Sequence, residues 1–209
     1  MKILVRGLIG VALLSAGGLL LTSHFDGDSV CWGCSTKGHH HHAESPPWRK
    51  LRTLHSAEAD FRDNDRDSDG LKQFWRADVA SLYGFLPRGS TEMIKLIDIS
   101  VASADLNPLP GGRLGDQGPG PVDLANYSVA CPREGYWFAS LRFEDEERGM
   151  PDPDRFAFCA VPDSLSAGTL VYAVTQEGVV WQAQARCARD VPRAFPLDPL
   201  KAGWQRKSP

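Results

Sequence analysis

The sequence predicts an α+β fold: an N-terminal membrane-anchor helix, then one amphipathic helix packed on a four-stranded antiparallel meander. Three observations predict it. Basic residues followed by an apolar run open the chain, apolar residues recur at helical spacing over residues 48–62, and the period shortens to two after residue 135.

Lys2 and Arg6 precede an apolar run over residues 7–22, which ends at polar Ser23 and His24. That order marks an export signal. The run is shorter than the about 20 residues a span needs, but residues 3–5 complete it when Arg6 snorkels to the interface. No Ala-x-Ala-like site closes the run and no lipobox cysteine follows it, so residues 1–24 read as a retained single-pass signal anchor. Secretion after cleavage is the alternative.

Residues 25–47 form a linker without apolar periodicity. It holds a C-x-x-C at Cys31 and Cys34, followed by His39, His40, His41 and His42. Thiolates and imidazoles suit zinc or another soft transition ion, which makes a metal- or redox-handling protein the alternative function. Against it, no second knuckle of regular spacing follows, position 35 is not His as haem attachment needs, and no βαβ pattern surrounds the pair. A tight disulfide or two thiols beside a solvated histidine tract is the simpler reading.

Ser45 as N-cap with Pro46 and Pro47 behind it predicts a helix start. Trp48, Leu51, Leu54, Ala57 and Phe61 then lie on one stripe of a helix ending near Arg62. His55 and Glu58 read as a pair on its surface. Next comes a run of alternating aspartates. Asp65, Asp67 and Asp69 before Gly70 match the first half of an EF-hand-type loop, in which carboxylates at alternate positions converge on one hard cation and glycine permits the turn. Leu71 would add its backbone carbonyl and Gln73 falls at the ninth position. The twelfth is Arg76 where a bidentate Glu is expected, so Asp78 is the nearest candidate to close the shell. Calcium is the cofactor this spacing implies.

Phe74 and Trp75 supply apolar bulk, and residues 77–83 read as a short helix closed by Gly84. A second packing helix is expected over residues 91–104, capped by Ser90 or Thr91, from the spacing of Met93, Ile94, Ile97 and Val101. Residues 106–121 are rich in Gly and Pro and read as an exposed loop. Strands are expected over 136–143, 155–161, 169–175 and 179–184, with Gln176, Glu177 and Gly178 as a hairpin turn. Trp137, Ala139, Leu141 and Phe143 are expected on one face with Phe156, Phe158 and Ala160, and with Leu170, Tyr172 and Val174, under the amphipathic helix. The folded domain is thus placed at residues 48–185, with 186–209 a loosely ordered tail in which Trp204 alone docks.

The 209 residues suffice for one sizeable domain. A net charge of −3 with no basic run along the sequence argues against a nucleic-acid partner. In an exported protein the five cysteines meet an oxidising environment, and Cys131 with Cys159 or Cys187 is the pairing to expect, buried unpaired thiols being the alternative. No G-x-S-x-G, H-E-x-x-H, phosphate loop or dinucleotide fingerprint occurs, so the chain is not expected to be an enzyme.

The order of anchor, amphipathic helix, variable region and meander is similar to the layout of type IV pilins and pseudopilins. The phrases LRTLHSAEADFRDNDRDSDG, FWRADVASLYG, REGYWFASL, RFAFCAVP and GTLVYAVTQEGVVWQ, across residues 48–184, resemble a group of exported bacterial proteins of unknown function with pilin-like segments. The resemblance does not extend to the pilin processing site, where Gly is followed by Phe or a similar residue and, five positions later, by Glu. Here Leu8 follows Gly7 and Ala12 takes the Glu position. It implies a non-enzymatic structural or interaction module at a bacterial inner membrane, facing the periplasm or exterior, with a protein partner of unidentified kind.

Overall fold

The structure, a computed structural model, describes residues 45–109, 128–146 and 152–208. It is α+β, with one five-stranded antiparallel sheet and few helices. Helix α1, Pro47–Asp63, forms where the stripe requires it: Leu51, Leu54, Ala57 and Phe61 are all buried. Removing each large apolar side chain from water contributes about 1.5–3 kcal/mol. Ser45 does not cap it. The cap position is Pro46, which makes no side-chain bond, and the Arg49 N–H turns back to the Pro46 carbonyl at 2.9 Å.

The strands are β1 Tyr136–Leu141, β2 Ala157–Pro162, β3 Leu170–Thr175, β4 Val180–Gln184 and β5 Gln205–Arg206, each paired antiparallel with the next. α1 lies across β2, β3 and β4. The β3–β4 turn needs Gly178, whose φ is +70°, and a side chain there would meet the His55 ring at 3.1 Å. His55 itself is within 3.2 Å of the Gln176 carbonyl, so the turn is seated on the helix.

The face expected for β1 is inverted. Phe138 pairs with Ala160 and Ala160 with Tyr172, which puts Phe138 under the helix side. Trp137 pairs with Val161, so Trp137, Ala139, Leu141 and Phe143 lie on the opposite face with Ala157, Cys159 and Trp181. Strand register fixes the side a residue takes, and β1 is apolar on both, so its alternation carried no side signal.

That second face explains the tail, which is not loosely ordered. Phe195 and Trp204 are buried against Trp181, and Phe195 forms a parallel bridge with Phe143. β5 then adds the fifth strand, Arg206 opposite Trp181 and Gln205 opposite Gln182. The domain therefore runs beyond residue 185.

The helix expected over 91–104 shrinks to α2, Ile99–Ala102. Ile94 instead pairs with Phe85 through two backbone bonds of 2.7 and 3.0 Å, and the Leu96 N–H bonds the Leu82 carbonyl at 2.9 Å. The apolar spacing is met by an extended segment. Likewise the helix expected over 77–83 shortens to a 3-10 turn, Ala80–Tyr83, whose first N–H groups two carboxylates cap. Asp105 Oδ2 accepts from Val79 and Ala80 at 2.7 Å each, and Asp78 Oδ1 accepts from Ser81 at 3.2 Å. Cys159 is a buried free thiol pushed up to about 12 by burial, and Cys187 is exposed and free, so neither joins Cys131.

Candidate metal centre

The chain leaves α1 in a tight turn that a run of ordinary backbone could not make. Asp65, Ser68 and Gly70 have φ of 45°, 56° and 86°, the left-handed region that Asp tolerates and Gly favours. The turn folds Asp65, Asp67 and Asp69 to one side, with one oxygen from each within 4.8 Å of the others. Two oxygens held on one calcium ion at 2.3–2.6 Å lie at most about 5 Å apart, so the spacing fits.

Hydrogen bonds fix the turn from within. The Gly70 N–H donates to Asp65 Oδ2 at 3.1 Å, and the Leu71 N–H to Asp69 Oδ1 at 2.7 Å. The Gln73 amide donates to Asp69 Oδ2 at 2.8 Å, which brings Gln73 to the cluster. Two further oxygens, Asp65 Oδ1 and Asp67 Oδ1, are out of solvent and accept no hydrogen bond. Arg66, the nearest cation in sequence, is turned away: its Nε and Nη2 clamp Asp60 at 2.8 and 2.9 Å and hold that carboxyl below its usual range. Arg66 thus does not neutralise the triplet. Burial and the charge of Asp69 push Asp67 up to about 6. A cleft of about 460 Å³ bordered by Asp67, Gln73, Trp75, Arg76 and Ser140 leaves an approach from solvent.

One expected member goes elsewhere. Asp78 is buried away from the triplet and spends its oxygens on Trp75 Nε1, Ser81 and Leu109 N–H groups. It does not close the shell. Arg76, at the twelfth position, pairs with Glu146 Oε1 at 2.7 Å and bonds the Asp152 carbonyl. Leu71 has an exposed side chain, and its carbonyl is the part the site could use. Three carboxylates, Leu71 and Gln73 leave the remaining positions of a six- to eight-oxygen shell to water.

Glu58, expected on the surface, is fully buried. Its Oε2 accepts the Trp75 N–H at 2.8 Å, while Oε1 has no partner. It pins the chain where the aspartate segment rejoins the core. Its place between Leu54 and Phe61, at i+4 and i−3, was the available signal. Burial raises its carboxyl well above the usual range, against the Trp75 hydrogen bond and the charge of Arg76.

Cys31, Cys34 and His39 to His42 lie outside the described residues, as do the anchor expected over 1–24 and most of the loop at 106–121. Among the described residues no helix is long and apolar enough to cross a membrane. Comparison with protein-family models, curated proteins and solved structures finds no match to the chain.

Proposed function

We propose that the protein is a membrane-tethered, extracytoplasmic structural or interaction module of pilin-like layout, non-enzymatic and stabilised by calcium. The observation that carries the calcium reading is the turn after α1, where three carboxylates converge around two unpartnered oxygens. A helix that lies across three strands of an antiparallel meander supports the pilin-like layout. Residues 1–24 supply the tether, with the domain facing the periplasm or exterior.

In this reading the ion joins the end of α1 to the segment that returns to the core at Trp75. It replaces repulsion among three carboxylates with coordination, and so sets how rigidly that corner is presented to a partner. Calcium that binds only the folded state adds about 2.7 kcal/mol when free ion is about 100 times Kd. Thermal unfolding with calcium, with chelator and with magnesium tests it. Calcium should raise Tm for the wild type and leave Asp67→Ala unmoved. A wild-type Tm indifferent to calcium removes the metal from the function.

A further inference from the structure

We propose that the end of the domain where α1 begins is a docking surface for anionic lipid headgroups. The setting rests on the membrane-tethered reading above, but the surface itself rests on geometry. Trp48 is half-buried in the first turn of α1. The Arg49 and Arg52 guanidinium carbons stand 5.4 and 5.1 Å from its ring centre, and the Lys207 ammonium 5.5 Å. Lys207 arrives from the far end of the chain because β5 pairs with β4, which its N–H extends by a 2.8 Å bond to the Val180 carbonyl. Lys50, in the same first turn of α1, adds a fourth cation, whereas Arg206 stacks on Trp181 at 5.3 Å on the opposite face of the sheet.

None of these four is in an ion pair with a described residue. The first turn of α1 carries no acidic residue and no side-chain cap. Cations beside the open N–H groups of a helix start are unfavourable. An anionic surface reverses the sign of that cost. Sequence could not show the cluster, because residues 49–52 and Lys207 meet only through the sheet.

Two features favour a bilayer over other polyanions. An indole ringed by Lys and Arg suits the headgroup layer, where aromatic bodies sit and each nearby cation gains from anionic lipid. Residues 23–46 also tie this end, and not the aspartate turn, to the apolar run at 7–22. α1 has 17 residues, so the aspartate turn lies about 25 Å further along. A nucleic acid would meet the same cations on a chain whose net charge is −3.

The test is lysine acetylation of the full chain, read by mass spectrometry, in vesicles of phosphatidylcholine alone and of phosphatidylcholine with phosphatidylglycerol. Lys50 and Lys207 should react about fivefold more slowly in the anionic vesicles. Lys72, beside Arg62 at the other end of α1, should not change. Arg49→Glu with Arg52→Glu, both exposed and checked by an unchanged Tm, should abolish the difference. Equal reactivity in the two vesicles overturns the proposal. So does equal protection by inorganic phosphate without vesicles, or stronger protection by a duplex oligonucleotide. The tether is read separately: if it fails, the chain stays in the supernatant of neutral vesicles, yet wild type and not the double variant still pellets with anionic ones.

Discussion

Glu58 shows what one buried carboxyl does to the pH response. A carboxyl raised in the folded state holds its proton more tightly there, so its contribution is full below the unfolded value near 4.5 and is lost as pH rises through the folded one. Glu58→Gln keeps an acceptor for the Trp75 N–H and carries no charge. It should match the wild type to within about 1 kcal/mol at pH 5 and exceed it at pH 8, in denaturant titrations at both. Asp67 and Asp105, each pushed up to about 6 from 3.8, act in the same direction. Tm of the metal-free protein should therefore fall between pH 4 and about 6.5. Calcium replaces the proton on Asp67, so the gap in Tm between calcium and chelator should widen from pH 5 to pH 7, and Asp67→Asn should close it. The aspartate triplet was legible in sequence because its ligands are neighbours in the chain. Asp78 was misread because its partner at Leu109 lies 31 residues away.

At the scale of elements, α1 carries the domain. Phe61 packs tilted on Trp75 and edge to face on Phe85, ring centres 5.8 and 5.1 Å apart, so Phe61→Ala should cost about 3–5 kcal/mol by denaturant titration. Gly178→Ala forces a side chain into the left-handed region and onto His55, and should cost about 1–2 kcal/mol by the same measurement. α1 and strands β1 to β4 were legible, α1 from its helical period and the strands from aromatic and β-branched runs between turn-forming residues. The helix expected over 91–104 was not, because Ile94 and Ile97 satisfy helical spacing and an extended path equally, and the backbone of Phe85 decides between them.

At the scale of the whole molecule the sheet is a wall buried on both sides, by α1, α2 and the 3-10 turn on one and by the tail on the other. A chain ending at residue 191 loses Phe195, Trp204 and β5, leaving Phe143 and Trp181 uncovered. It should bind a hydrophobic dye and lose its sharp unfolding transition in a thermal scan. The tail was illegible because its two anchoring aromatics stand nine residues apart in polar sequence, with no period to announce an element.

The distribution of charge along α1 has an electrical consequence. Arg49, Lys50 and Arg52 crowd one tip and Asp60, Asp63, Asp65, Asp67 and Asp69 the other, in the same sense as the aligned peptide groups of the backbone. The contributions add to a permanent dipole moment along the rod, so an applied field should orient the protein like a compass needle. Calcium at the negative pole would shorten that needle, and electric birefringence should weaken as the ion is added.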